Sequence, residues 1–322
     1  MKSFIFFLLL FFIILISSCS TEPNLNYGWI LQIDQQDDIR YYAIYFTDEK
    51  NGWIVGNLGT IKKSADGGQS WILQTSNVQS TLWDVFFINK QTGWICGADN
   101  VLLKTTNGGE SWNKIGLSGS INTINVTIEF IDADNGWMSN NQGEILKTSD
   151  GGLNWQIVKE DNVGGAWLKV FDENTVYVLS VNMYKTLDGG STWDNITIPK
   201  SKYYNYQGMS FPDPNHGYLP TVNGTGGTII NEYPIMITYD GGNSWYSSDS
   251  LKTEGYGFTT VFFIDNQNGW VAGNDIYKTK DGGNIWTLDF AGIIGASDMQ
   301  FVNKNCGWLI THNGQVCKYG EN

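Results

Sequence analysis

The chain has 322 residues, enough for one large domain or two ordinary ones. Hydrophobic residues make up 41% of it and aromatic residues 14%, which argues against an intrinsically disordered protein. The formal net charge is −13 and Arg40 is the only arginine. Such a surface repels phosphate backbones, so nucleic-acid binding is disfavoured.

Residues 1–18 have the pattern of a secretory signal peptide. Lys2 precedes an uncharged apolar run, which ends in Ile16 and is followed by small residues. The run is shorter than the roughly 20 residues that span a bilayer. Ile16-Ser17-Ser18-Cys19 resembles a bacterial lipobox, and this resemblance implies that Cys19 becomes the lipidated first residue of the mature protein. A plain secretion signal and an uncleaved helical anchor are the alternatives.

Residues 19–26 then form the lipidated cysteine and a short tether, which joins the domain to a membrane partner. Seven extended residues reach roughly 25 Å at most. Ser20, in place of an aspartate, indicates the outer membrane by resemblance to common sorting rules, and the side of that membrane stays open. The cysteines of the folded part are Cys96, Cys306 and Cys317. The last two fall in one predicted hairpin with offset registers, so their pairing also stays open.

Internal repeats dominate residues 27–322 and predict a single domain. The strongest unit is Ser/Thr-x-Asp-Gly-Gly-x-x-Trp, and about twenty residues before it stands Asn-Gly-Trp or a relative. The segments between these landmarks are short, β-branched or aromatic, and bounded by Gly, Asn and Asp, as strands are. Each unit therefore supplies about four antiparallel strands, which is a β-propeller blade.

The tryptophan that closes each unit counts the blades. Trp29 has no aspartate motif before it, and the last repeat ends without its own closing strand. We therefore predict an all-β, seven-bladed propeller of four-stranded antiparallel blades, in which the N-terminal strand completes the last blade and hides the edges of an open array. The closing residues are Trp29, Trp71, Trp112, Trp155, Trp193, Trp245 and Trp286.

The turn motif resembles the Asp-box, or BNR repeat. Its glycines allow φ > 0 in a tight turn, its carboxylate and hydroxyl can hold backbone N–H groups, and its tryptophan enters the next strand. A metal site or an acid catalyst is the alternative, but each box lies on a different blade, whereas catalytic carboxylates must converge on one substrate. We therefore interpret the box residues as structural: Asp66, Asn107, Asp150, Asp188, Asp240 and Asp281.

The longer consensus, from Phe263 to Gly283 and from Phe46 to Trp71, resembles the repeat of photosystem II stability/assembly factor-like propellers. This resemblance implies a chaperone or scaffold without enzymatic chemistry. Members of that family are described as using an arginine patch for their partner. Because Arg40 is the only arginine here, a photosystem role is not carried over.

The composition bears on whether the protein is an enzyme or a binding module. A sialidase grips its substrate carboxylate with three arginines, which this chain lacks. A carbohydrate-active hydrolase or lyase that uses an Asp/Glu pair stays the alternative. His216 and His312 fall in turns, and no pattern calls for a metal or a cofactor. The sequence favours a non-enzymatic envelope lipoprotein that binds or scaffolds a protein or a glycan.

The fifth repeat is irregular and marks the candidate binding face. Trp193 to Trp245 spans 52 residues, whereas the other intervals run from 38 to 43. The extra length lies in two segments, 200–207 and 221–233. We expect both to emerge on one face of the propeller, opposite the Asp-box turns, where tyrosines supply rigid contact area. A drifted insertion is the alternative. The candidate residues are Tyr203, Tyr204, Tyr206, Asn223, Asn231, Glu232 and Tyr233.

A weaker candidate is the axial channel. One face of the innermost strands is apolar, and period-two alternation directs polar side chains to the other face. These polar groups either are a solvated channel lining or form a site, whose acidity would favour a cation or a sugar. They are Asp84, Glu129, Lys169, Asp298 and Gln300.

Overall fold

The computed structural model describes residues 27–34, 39–116, 124–160, 167–199, 204–206, 208–223, 232–249, 251–252, 257–293 and 295–321. These residues form antiparallel sheets arranged as seven blades around an axis, with one short 3₁₀ turn, Asn57–Gly59. The predicted all-β, seven-bladed fold is confirmed. We letter the strands of a blade A to D from the axis outward.

Six blades are four-stranded sheets, and their strands follow one another from A to D. Blade 1 has β2 (Tyr41–Phe46), β3 (Gly52–Gly56), β4 (Ile61–Ser64) and β5 (Ile72–Gln74). Blade 2 has β6 (Leu82–Phe87), β7 (Gly93–Gly97), β8 (Leu102–Thr105) and β9 (Asn113–Lys114). Blade 3 has β10 (Asn125–Phe130), β11 (Gly136–Asn140), β12 (Glu144–Thr148) and β13 (Gln156–Glu160). Blade 4 has β14 (Trp167–Val170), β15 (Val176–Leu179), β16 (Met183–Thr186) and β17 (Asp194–Ile196).

Blade 6 has β25 (Thr260–Phe263), β26 (Gly269–Ala272), β27 (Asp275–Thr279) and β28 (Thr287–Ala291). Blade 7 has β29 (Ala296–Asn303), β30 (Cys306–Thr311), β31 (Gln315–Glu321) and, as its strand D, β1 (Tyr27–Asp34). The pairing of β1 with β31 runs from Tyr27 opposite Glu321 to Asp34 opposite Gln315. The predicted closure of the ring by the N-terminal strand is therefore confirmed.

Blade 5 departs from the four-stranded pattern. Its regular sheet has only β19 (Gly217–Leu219), β22 (Met236–Thr238) and β23 (Tyr246–Ser247), and its innermost strand is reduced to the bridge between Ser210 and Tyr218. The long segments of this repeat instead pair with their neighbours in two short ribbons. One ribbon joins β18 (Tyr204–Tyr206) to β20 (Thr221–Asn223), and the other joins β21 (Glu232–Tyr233) to β24 (Leu251–Lys252).

The hydrophobic core lies between the blades. The buried side chains fall into seven clusters, and each cluster combines residues of two adjacent blades. Strand B is buried on both faces for this reason, as in Gly52–Gly56 and Gly93–Gly97, where every residue is buried. The strand therefore reads as a continuous apolar run rather than an alternating one.

A phenylalanine on strand A is held between two blades. Phe87 stacks on Trp53 of the preceding blade with ring centroids 3.7 Å apart, and its other side lies over Gly93 of its own blade. A Cβ atom at Gly93 would lie 2.5 Å from the Phe87 ring, so the glycine is required by space. The same stack joins Trp94 to Phe130, Tyr218 to Phe263, Trp270 to Phe301 and Trp308 to Phe46.

Phe211 of blade 5 lies over Gly217 but meets Tyr177 of blade 4 edge-on. Blade 4 itself changes both partners together. Val176 occupies the glycine position, and the residue paired with it on strand A is Val170 rather than phenylalanine. The smaller side chain leaves room for a Cβ atom on the opposite strand. The Asn-Gly-Trp signature is thus one half of a packing rule whose other half is the phenylalanine.

Candidate partner-binding face and axial channel

The Asp-box residues hold their own turns. In the first box, Ser64 Oγ accepts the backbone N–H of Gly68 and donates to the Asp66 carboxylate, which also accepts the backbone N–H of Ser70. Gly67 and Gly68 have φ of 75° and 86°, which favours glycine. The same bonds recur at Asn107, Asp150, Asp188, Asp240 and Asp281.

Each Asp-box turn also contacts the A–B turn of its blade. The backbone N–H of Gly67 donates to the Lys50 carbonyl at 2.9 Å, and the other five boxes make the equivalent bond. The A–B and C–D turns therefore share one face of the ring, which we call the box face. The B–C and D–A connections emerge on the opposite face, which we call the loop face. The six boxes lie on six separate blades and do not converge.

The axial channel holds a cavity of about 430 Å³, and all five polar channel candidates line it. The apolar residues of strand A, such as Ile44 and Met299, line the same cavity. The expected separation of an apolar face from a polar channel face is therefore incomplete. Strand A of four blades also contains a β-bulge, which shifts its register.

Five polar residues of the channel, which are four of the candidates together with Ser210, accept hydrogen bonds from the backbone of the next blade. Asp298 accepts the N–H of Ile44 at 2.9 Å, and Asp84 accepts that of Ile128 at 2.8 Å. Glu129 accepts the Val170 N–H at 2.7 Å, Ser210 accepts the Phe263 N–H at 2.9 Å, and Gln300 bonds both the N–H and the carbonyl of Phe46. The inner edge of strand A has no further strand to pair with, so these side chains satisfy its N–H groups.

The electrostatics of the channel follow from burial. Burial raises the pKa of the Asp298 carboxyl to about 7, against the backbone N–H bonds that lower it. Burial also raises the pKa of Asp84 well above its usual range, and the charges of Asp298 and Glu129 add to the rise. The same burial raises the pKa of the Tyr45 hydroxyl, helped by Glu129 and Asp84.

Lys169 and Glu129 form an ion pair across the channel wall, with Nζ and Oε1 3.3 Å apart. The positive charge of the channel is thus placed beside one carboxylate, while Asp84 and Asp298 each accept two backbone N–H groups. The channel carboxylates are therefore occupied as hydrogen-bond acceptors that connect blades.

The two ribbons of the irregular fifth repeat lie on the loop face, because they are formed by B–C and D–A connections. Tyr206 is partly buried against the core between blades 4 and 5, and its hydroxyl donates to the Pro199 carbonyl. Tyr204 and Asn223 are paired in one ribbon, and Glu232 belongs to the other. Tyr203 and Asn231 lie outside the described residues.

Tyr233 is a correction to the candidate list. Its side chain is fully buried, and it packs in the core between blades 5 and 6 with an edge-on contact to Phe258. Gly257 packs closely over the ring, because a Cβ there would lie 2.8 Å from it. Tyr233 therefore anchors the second ribbon from beneath and offers no contact surface.

An aromatic group on the loop face was not predicted. The rings of Tyr42 and Trp83 lie 4.3 Å apart, and the ring of His312 lies 5.9 Å from Tyr42. They come from blades 1, 2 and 7, near the mouth of the channel. Burial lowers the pKa of His312, and the Arg40 guanidinium lowers it further. The signal in the sequence is the aromatic residue near the start of strand A in the first two repeats.

The other histidine and the cysteines have structural surroundings. His216 Nδ1 lies 2.8 Å from an Asp213 carboxylate oxygen within an A–B turn of the box face. Cys96, Cys306 and Cys317 are buried thiols. Cys317 is opposite Leu309 on the neighbouring strand rather than opposite Cys306, which explains why no disulfide joins them.

Comparison with known proteins places the chain in a family. The family model described as Photosynthesis system II assembly factor YCF48 matches residues 26–320. The chain belongs to that family. The resemblance predicted from the repeats is confirmed. No curated protein sequence matches the chain at a significant level.

Solved structures of this family have the same fold. YCF48 from Cyanidioschyzon merolae is 20% identical, with a TM-score of 0.75, over 91% of this chain and 99% of that one. A YCF48 bound to D1 peptide is 21% identical, with a TM-score of 0.73, over 92% and 97%. The GH74 xyloglucanase from Xanthomonas campestris is 13% identical, with a TM-score of 0.68, and the alignment covers 90% of this chain but 53% of the enzyme. At these identities the likeness concerns the fold alone.

Two further properties concern the described part of the chain. None of its helices has the length and apolar character needed to cross a bilayer. Within the same residues, His, Cys, Asp and Glu side chains do not gather in a group of three that suits a metal ion.

Proposed function

We propose that the protein is a non-enzymatic envelope lipoprotein whose propeller binds a segment of a partner protein on the loop face. Membership of the YCF48 family supports a scaffold or assembly role, since one YCF48 binds a D1 peptide. We infer that the partner of this chain differs from that of the photosystem assembly factors. Those proteins are described as using an arginine patch, whereas Arg40 is the only arginine here.

The observation that carries the proposal is the irregular blade 5. Six blades repeat one pattern, and that pattern is explained by packing between blades. In blade 5 the innermost strand is instead reduced to a single bridge, and two ribbons lie on the loop face. Departures from a regular array that folding does not require mark functional surfaces. The aromatic group of Tyr42, Trp83 and His312 lies on the same face and extends the contact area.

The channel favours binding over hydrolysis. A glycoside hydrolase needs one carboxyl group that gives a proton and a second that acts on the sugar or on water. Asp298 has a suitably raised pKa, but both of its oxygens accept backbone N–H groups, as do those of Asp84. Freeing either carboxylate would break a bond between two blades. The GH74 neighbours add no argument beyond the fold.

We further propose that Cys19 carries the lipid and that the protein belongs to the outer membrane. The lipobox-like sequence and the short tether support this placement. A Cys19→Ala variant is expected to leave the membrane fraction and to appear as soluble protein. Retention of that variant in membranes, with no acyl mass on wild-type Cys19, would contradict lipidation.

The test of binding is crosslinking capture from native membranes by the tagged protein. We expect Tyr203→Ala/Tyr204→Ala to lose the captured protein while its melting temperature stays that of the wild type. Tyr206 is left in place because its hydroxyl holds the Pro199 carbonyl. The matched control is Tyr239→Ala/Tyr246→Ala, since these tyrosines are exposed on blade 5 away from the loop face.

Three outcomes bear on the proposal. Loss of capture in the loop-face variant alone supports it. Undiminished capture by that folded variant places the partner elsewhere and overturns it. Retention of polysaccharide, with no protein captured, would replace the protein partner by a glycan.

A further inference from the structure

The outer strands of blades 7 and 1 differ from those of the other blades. In every blade the closing tryptophan is followed by two residues on the outer edge of the ring. These are Ile30 and Leu31 in blade 7, and Ile72 and Leu73 in blade 1. The equivalent pairs in the other blades are polar or mixed: Asn113-Lys114, Gln156-Ile157, Asp194-Asn195, Tyr246-Ser247 and Thr287-Leu288.

These four apolar side chains are exposed and belong to the outer strands of two neighbouring blades. Their exposed fractions are 45% and 44% for Ile30 and Leu31, and 71% and 68% for Ile72 and Leu73. Blades 7 and 1 are neighbours in the ring. Trp71, which directly precedes the outer strand of blade 1, packs against the core between them. We call this strip, Ile30, Leu31, Ile72 and Leu73, the apolar rim.

Alternation of side chains places the centre of the apolar rim at the groove between the two blades. Trp29 donates its indole N–H to Asp289 of blade 6, so Ile30, on the other side of the strand, is directed toward blade 1. Leu73 shares the side of Trp71, which is directed toward blade 7. Ile30 and Leu73 therefore flank one groove, and Leu31 and Ile72 continue the strip on either side.

The position of the apolar rim along the chain indicates what covers it. The strip begins with Ile30, three residues after Tyr27, the first described residue. Cys19 lies eight residues before Tyr27, and eight extended residues reach roughly 28 Å at most. A lipid on Cys19 would thus hold blade 7 near the bilayer surface. No other blade would be held closer to it.

We propose that the apolar rim inserts into the lipid surface, so that the propeller stands edge-on with blades 7 and 1 toward the membrane. This inference rests on the lipidation of Cys19 in the proposed function. The lipid on Cys19 supplies the attachment itself, and insertion of the apolar rim would add buried apolar area and fix the orientation of the ring. In this orientation the loop face is not covered by lipid, and blade 5 lies on the far side of the ring.

The test uses the full-length lipidated protein in phosphatidylcholine/phosphatidylglycerol vesicles. An environment-sensitive fluorophore is attached at Leu73→Cys, with Leu187→Cys as the matched control. Leu187 is 60% exposed and belongs to blade 4, across the ring. The native thiols of the folded part are buried, so labelling is directed to the new cysteine.

We expect a blue shift and quenching by nitroxide-labelled lipids at position 73 and neither at position 187. In an Ile30→Ser/Ile72→Ser background, the shift at position 73 should shrink while the protein stays anchored. Equal signals at both positions on anchored protein would overturn the inference and leave lipidation intact. A blue shift without vesicles would mean that a second copy covers the rim, which also overturns it. Absence of acyl mass on Cys19 defeats the anchor and this inference together.

Discussion

Substitution of Gly93 by alanine tests the packing rule that joins the blades. The new Cβ would lie 2.5 Å from the Phe87 ring, and that ring cannot retreat because Trp53 of the preceding blade stacks on its other side at 3.7 Å. Overpacking of this kind costs about 1–3 kcal/mol. Phe87→Val removes the ring, with a loss of roughly 2–4 kcal/mol for the cavity and the aromatic contact.

The double variant Gly93→Ala/Phe87→Val separates this clash from a general loss of stability. Without the ring, the added methyl group meets open space, so the cost of Gly93→Ala should vanish and the cycle should show a favourable coupling of about 1–3 kcal/mol. Val176 opposite Val170 in blade 4 is the natural precedent. Equilibrium denaturation at constant m-value gives the free energies of unfolding.

The matched control for this cycle is Gly116→Ala. A Cβ at Gly116 would meet nothing within 4 Å, and the residue lies outside the positive-φ glycines, so we expect no loss. Additive costs in the Gly93 cycle, within about 0.5 kcal/mol, would refute the steric explanation. So would a loss at Gly116 equal to that at Gly93.

Three other predictions concern side chains that make hydrogen bonds in the folded protein. Asp66→Asn should be almost neutral in denaturation, because Asn107 makes the equivalent bonds in blade 2, whereas Asp66→Ala should cost about 1 kcal/mol. Asp298, with its pKa raised to about 7, keeps a proton in the folded state that the unfolded chain releases near pH 4, so its contribution to stability should fall from pH 4 to 7. The free energy of unfolding of Asp298→Asn should therefore rise relative to that of the wild type over this range. Gln74→Ala should cost about 1 kcal/mol and expose the Trp112 indole N–H, which now donates to Gln74 at 3.1 Å; an unchanged melting curve would contradict this.

The sequence was sufficient for the fold because a propeller is a repeat of local units. The roughly forty residues of each unit are enough to predict its turn, its strands and its closing tryptophan. The unmatched strand of Trp29 indicates how the ring closes. Local patterns of this kind can be read without knowing which residues meet in space.

The rest depends on contacts between blades, which a single repeat does not contain. The bond from Asp298 to the Ile44 N–H joins residues 254 positions apart, and the β-bulge that directs it has no distinctive sequence. The burial of Tyr233 is not readable from the sequence, because the ribbon that covers it is formed by an irregular insertion. A comparison of the glycine and phenylalanine positions across repeats, with the Val176 and Val170 exchange as the clue, would have predicted the stack.

The joining of β1 to β31 has a consequence for biosynthesis. Nearly the whole described chain lies between Tyr27 and its partner Glu321. Contacts this distant in sequence form slowly, because a long loop must close before the pairing is gained. Until β31 has been made, β1 therefore remains an unpaired edge, which is open to pairing with other chains.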